Sequence, residues 1–283
     1  MSFNRLDPED FVVSADAVSA TVWSQNQPFL TTFFTSSAQE TGQSGEYYLN
    51  VLNTSSGEPN AEIQFAIAYT DQTGGGASSY NPAVNNYSPT TTMYGSYRTL
   101  VLEDENSSFV WGDSYTGSVD NDFYVISIER ARYKQSLLPG SLNLVLSSSN
   151  SNYGTIQLTD DSNMVTLPTY YGTQRAYQLI SGSDGKSYQA VAGGTGTGYT
   201  LASGSYGLVL PDISTILLNA AALNGNSATG GGINIQTDSD ADTFGDNPTR
   251  LYDAISGSFA FESTIPNIFE LNSQETLTSD YVF

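Results

Sequence analysis

The 283-residue chain contains no cysteine and no histidine. The first absence removes disulfides, zinc–thiolate centres and thiol nucleophiles. The second removes the commonest general base, proton shuttle and metal ligand. Together they exclude a Ser-His-Asp triad, a Cys-His dyad and every His-ligated zinc or iron site. Positive charge is nearly as scarce: 8 Lys and Arg stand against 29 Asp and Glu, a net charge of −21 at pH 7. Such a surface repels phosphate backbones and anionic lipids, so neither nucleic acid nor a membrane surface is an expected partner. No apolar run approaches the ~18 residues of a membrane-spanning helix. The opening MSFNRLDPED has one Arg, several acids and no apolar stretch, so no secretion signal is expected there. Without cysteine, stability has to come from core and sheet.

What the chain does have is aromatic residues, 19 Tyr and 13 Phe, in a background rich in Ser, Thr, Asn and Gly. Its dominant local pattern is short strands separated by Gly/Ser/Asn/Asp turns. Ile63, Phe65, Ile67 and Tyr69 alternate along one face of a strand spanning 61–69. The continuous apolar run Phe123 to Ile128 fits a strand covered on both faces. Further strands are expected at 46–52, 142–146, 155–158, 177–180, 206–210, 213–218, 233–236, 258–262 and 277–283. Helix signals are few. Asn247, Pro248, Leu251, Ile255 and Gly257 give an N-cap, a first-turn proline, an apolar pair one turn apart and a C-terminal stop. Thr91–Leu102 and Asn219–Leu223 are the other candidates. The expected fold is therefore β-rich α+β, with antiparallel, sandwich-like sheets and a few short helices. One structural unit over 1–283 is expected, with a possible subdivision near 147–152 into 1–146 and 153–283.

Three features carry candidate chemistry. Asp238, Asp240 and Asp242 alternate in a loop, a spacing that can cage a hard cation such as calcium. The stretch lacks the Gly and the terminal Glu of the helix-loop-helix calcium site, and a solvated acidic loop has the same sequence. Arg130, Arg132 and Lys134 gather three of the eight cations into five residues. They form either a docking patch for an acidic partner or subunit, or an intramolecular salt-bridge set. At the C-terminus, Leu277, Ser279, Tyr281 and Phe283 fall on one side of a strand and are expected to be buried, by the chain's own sheet or by a neighbour's. With 29 acids, a carboxylate pair for glycoside hydrolysis can be proposed anywhere, so none is assigned. Aromatic residues could line a carbohydrate groove, but Tyr and Phe are also ordinary strand residues.

Several segments go beyond composition. They are Ser14 to Ser24, Phe33 to Ser37, Gly45 to Tyr48, Tyr124 to Leu142, Tyr206 to Asp212 and Thr278 to Phe283. Together, and in this order, they resemble a family of virion structural proteins of large contractile-tailed phages, notably T4-like phages of cyanobacteria. The resemblance implies a structural, baseplate-associated subunit in the tail of a virion. Its partners would be other tail proteins, with multiple copies in a symmetric assembly. It implies no catalytic residue and no cofactor, so calcium at the Asp loop is the one ligand left open. The rival expectations are a carbohydrate-binding receptor or fibre module, a neck or other tail subunit, and a glycan-degrading enzyme.

Overall fold

A computed structural model of the chain describes residues 11–35, 48–76, 88–109, 111, 122–148, 155–182, 205–224, 232–237, 246–258 and 266–282. The strands of the first half are β1 (Phe11–Thr21), β2 (Phe29–Leu30), β3 (Phe34–Thr35), β4 (Tyr48–Leu52) and β5 (Ile63–Asp71). Helix α1 (Pro89–Leu102) follows, then β6 (Asp122–Ile128), β7 (Ser136–Leu137) and β8 (Asn143–Ser147). Next come β9 (Thr155–Asp160), β10 (Thr169–Tyr171), β11 (Gln174–Ser181), β12 (Gly207–Leu210) and β13 (Thr215–Asn219). The chain ends with α2 (Ala220–Asn224), α3 (Asn247–Ser256), β14 (Phe269–Glu270) and β15 (Asn272–Val282). Every strand pairing is antiparallel. The protein is thus β-rich, with antiparallel sheets and few, short helices.

Twelve strands form one sheet in the order β2-β14-β8-β9-β11-β12-β13-β6-β5-β4-β3, with β10 added on β11. The sheet curls, so residues from its two ends share one core. Trp23 before β2, Phe65 on β5 and Phe269 on β14 meet there with Leu30, Leu144 and Ile126. Helix α3 closes this side with Leu251, Ala254 and Ile255. On the opposite face Phe123, Val125, Leu208 and Leu217 pack with Tyr94 and Val101 of α1 and with Phe109 and Trp111. Strand β6 therefore lies between two apolar layers, which is why its sequence is continuously apolar rather than alternating. Burying one such Leu, Ile or Phe side chain contributes about 1.5–3 kcal/mol. Hairpin β8–β9 joins in unbroken register from Leu144↔Leu158 to Ser147↔Thr155, on either side of the 147–152 segment.

Local chemistry accounts for the helix ends. Pro89 and Pro248 sit in the first turns of α1 and α3, where a missing N–H costs nothing. Gly257 closes α3 at φ 71°, donating its N–H to the Asp253 carbonyl. The N-cap of α3 is Asp246 and not the expected Asn247, which is the first helical residue. Asp246 instead accepts from Arg250 Nε at 2.9 Å. One expected strand is not a strand. Residues 233–236 put Asn234 at φ 51° and Gln236 at φ 59°, which breaks the ladder while still burying Ile233 and Ile235. The strand expected at 258–262 lies almost wholly outside the described residues.

Candidate functional site

The second sheet has the order β1-β15-β7, and among the described residues its β1–β15 portion, unlike the first sheet, has almost nothing on its faces. β1 and β15 pair over eleven consecutive residues, from Phe11↔Val282 to Thr21↔Asn272, without a register shift. At roughly 3.4 Å per residue this ribbon is about 35 Å long. From Val12 to Ala20 every side chain is exposed or half-buried, and the same holds from Gln274 to Tyr281. Among the described residues only the root is covered. There β7 pairs with Ser273 and Gln274, and Gln135 Oε1 accepts from the Thr276 N–H at 3.0 Å. The remainder is an arm.

Cross-strand partners share a face of a ribbon, and alternate residues change face. One face of the arm therefore carries Val12 opposite Tyr281, Asp16 opposite Leu277, and Val18 opposite Glu275. The other carries Val13 opposite Asp280, with Ala15, Ala17, Thr276 and Thr278. Val12, Val18, Leu277 and Tyr281 are 40–50% exposed, an apolar stripe interrupted by two carboxylates. Of the two coverings expected for the Leu277–Tyr281 face, the chain's own sheet is therefore corrected. β15 is a strand and its edge is paired by β1, but among the described residues no layer covers that face. Phe283 lies outside the described residues.

The basic cluster divides. Arg132 Nη1 binds Glu62 Oε2 at 3.1 Å. The Arg130 guanidinium lies 4.7 Å from the centre of the Tyr133 ring and donates to the Tyr133 carbonyl at 2.9 Å. Lys134 is exposed beside Gln135, at the root of the arm. One cation of the three is thus committed to an ion pair, one is stacked on its own loop, and one faces solvent. Asp238, Asp240 and Asp242 lie outside the described residues. Among the described residues no group of three acids is arranged to hold a metal ion. Among those residues, too, no helix is long and apolar enough to cross a membrane.

Two further places hold polar groups. A cleft of about 320 Å³ is lined by Gln25, Gln27, Asn53, Asn60 and Thr32, beside the half-exposed ring of Phe29. Gln25 and Asn26 both take positive φ here, so the loop turns sharply and displays its amides. Nothing in the run Ser24–Gln27 signalled this cleft, because its other wall comes from residues 53–60. Inside the sheet, Tyr69 donates to Asp122 Oδ2 at 3.0 Å. Burial raises both groups above their usual ranges, the phenol the further. On the surface, Arg175 grips Asp212 through its side chain and its backbone N–H. Burial works to raise the Asp212 carboxyl, but these Arg175 contacts outweigh it and hold it below the usual carboxylate range.

The chain matches no protein-family model, no curated protein and no solved structure.

Proposed function

We propose that this protein is a structural subunit of a phage virion, in or beside the baseplate of a contractile tail, and that it acts by assembly with other tail proteins. The observation that carries the reading is the β1–β15 arm. An isolated two-stranded ribbon is marginal in water, and exposed apolar strands invite pairing or aggregation. A ribbon of eleven pairs whose side chains from Val12 to Ser19 and from Gln274 to Tyr281 are exposed or half-buried is best accounted for as surface that a neighbour covers. Apolar side chains buried at such a contact supply the affinity, while charges set register and exclude wrong partners. The resemblance of six segments to contractile-tail proteins supports the location, and repeated copies in a symmetric tail follow from it. This reading includes no catalysis, no cofactor and no nucleic acid.

Mass spectrometry and imaging of purified phage particles test it. The chain should copurify with tails and occupy density in the baseplate region. Its absence from particles would overturn the reading. So would turnover on cell-wall or capsule glycans that is abolished by replacing a single acid. A second reading, a carbohydrate-binding fibre module, is favoured by the Gln25–Asn60 cleft, since amides beside an aromatic ring suit sugar hydroxyls and C–H faces. Calorimetric titration with host surface glycans separates the two: binding that is lost in Asn53→Ala and Phe29→Ala would favour the fibre module.

A further inference from the structure

The edges of the two sheets are treated in opposite ways. The large sheet ends in β2 and β3, each two residues long, and so short an edge offers little to pair with. The small sheet ends in β1, with eleven residues. Edge strands are usually blunted by Lys, Pro, a bulge or shortness. β1 reads FVVSADAVSAT and has none of these; its ladder with β15 is regular throughout. Its single charge is Asp16. The other edge of the arm is partly taken, by β7 and Gln135 at Ser273 to Thr276. β1 is therefore the long free edge of the molecule among its described residues.

We propose that β1 accepts an extended strand of a different protein, one that alternates apolar residues with Lys or Arg, and so turns the arm into a three-stranded ribbon. The proposal rests on the assembly reading above and names the partner's chemistry. Charge selects the occupant. The arm carries Asp16, Glu275 and Asp280 and no cation. Asp16 and Glu275 lie on the same face as Val12, Val18, Leu277 and Tyr281. An added strand would place alternate side chains on that face, apolar ones beside the valines and cations beside the carboxylates. A second copy of the chain is poorly suited. It would lay another acidic strand beside this one, and two molecules of charge −21 repel. Nor can it offer many cations, since Arg132, Arg175 and Arg250 already sit in ion pairs of their own chain.

The test uses the full chain and short synthetic peptides alternating valine with lysine, with serine or with glutamate. Fluorescence anisotropy reads binding, and amide hydrogen exchange reads its location. The valine–lysine peptide should bind and slow exchange across β1; the glutamate peptide should not bind. Methylating alternate backbone nitrogens of the bound peptide should abolish binding, because strand addition needs those N–H groups. Asp16→Asn with Glu275→Gln should weaken binding roughly fivefold, the scale of two exposed charge pairs. Glu58→Gln with Glu105→Gln, two exposed acids remote from the arm in sequence, should leave it unchanged. Binding that does not protect β1, that survives backbone methylation, or that responds equally to both pairs of substitutions overturns the proposal. Self-association of the chain with β1 protected overturns it in favour of a second copy. Free exchange of β1 in intact particles that contain the chain overturns the strand partner alone. Absence of the chain from particles overturns the assembly reading beneath it.

Discussion

The ring centres of Phe65 and Phe269 lie 5.2 Å apart, edge to face, although six strands separate β5 from β14 in the sheet order. In a flat sheet the intervening spacings of about 4.8 Å would put these strands more than 30 Å apart. Their contact is the point at which the curled sheet closes on itself, and Trp23 seals it at 4.8 Å from Phe269 and 6.1 Å from Phe65. The core is thus enclosed largely by one sheet rather than by two separate ones.

Phe269→Ala should therefore cost about 3–5 kcal/mol, the range for a fully buried aromatic whose cavity cannot collapse. Its position on a two-residue strand gives no hint of this. Phe29 on the neighbouring β2 is 44% exposed, and Phe29→Ala should cost under about 1 kcal/mol. Urea denaturation midpoints of the two variants check the contrast. Equal losses would mean that the sheet is not closed at β14.

Gly207 opens β12 at φ +147°, and a Cβ there would run into the backbone carbonyl of Leu217 on the paired strand β13. Gly207→Ala is expected to unfold the chain or to lower its melting temperature by many degrees. Gly57, with nothing within 4 Å of its would-be Cβ, is the control, and Gly57→Ala should be near neutral. Circular dichroism melts of both variants decide it.

What the sequence made legible follows from burial. β6 announced itself because both its faces are covered, and α3 because its proline, apolar pair and terminal glycine agree. β15 was visible through the alternation at Leu277, Ser279 and Tyr281. Its partner β1 was not: Phe11 to Thr21 mixes Val, Ala, Ser and one Asp with no polar–apolar period, and among the described residues nothing packs on either face from Val12 to Ala20. The arm was thus half readable, since apolar alternation cannot distinguish a face covered by the chain's own core from one left open to a neighbour. Residues 233–236 failed for another reason. Ile-Asn-Ile-Gln has the period of a strand, yet Asn234 and Gln236 adopt positive φ, and the two isoleucines are buried by a kinked path. The basic cluster could not be apportioned, because Glu62 lies 70 residues from Arg132 in the chain.

Two acids should give opposite pH signatures. Asp212 has a lowered folded pKa, so its contribution is present above the unfolded value near 3.9 and is lost as pH falls through the folded one. The stability gap between wild type and Asp212→Asn should therefore close below about pH 4. Asp122 has a raised folded pKa through burial, so its ionised form is unfavourable in the fold above that pKa, and the penalty disappears as pH falls. Asp122→Asn keeps an acceptor for Tyr69 and removes the penalty, so its benefit relative to wild type should be largest at neutral pH. Urea titrations from pH 3 to 8 test both signs, and a parallel pH dependence in wild type and either variant would refute that assignment.

Replacing Arg130, Arg132 and Lys134 by Ser should change association more than stability. The Arg132–Glu62 pair is only partly buried, with the Glu62 side chain 48% exposed, and such pairs contribute about 0–1 kcal/mol. Lys134 is exposed next to Gln135, which binds the root of the acidic arm, so its loss leaves the arm's surroundings more negative. On the proposed assembly reading, stopped-flow measurement of incorporation into tail intermediates should show an altered rate and an altered salt dependence, with the melting temperature nearly unchanged. If rate and salt response stay the same, the cluster belongs to the local fold alone.

Deleting Tyr281 to Phe283 addresses the arm directly. Tyr281 is 50% exposed and pairs only with Val12, itself 47% exposed, at the end of the ribbon remote from β7. The half-exposed Tyr281 ring gives up little buried area, so the melting temperature of the isolated chain should fall by no more than about 2 °C. Assembly should suffer far more, because the deletion removes one end of the apolar stripe and frees the first residues of β1. Differential scanning calorimetry of the monomer and incorporation into particles, measured on the same variant, separate the roles. A large fall in the monomer's melting temperature would make the end of the arm part of the fold's own support. Unchanged incorporation would mean that this end of the arm meets no neighbour.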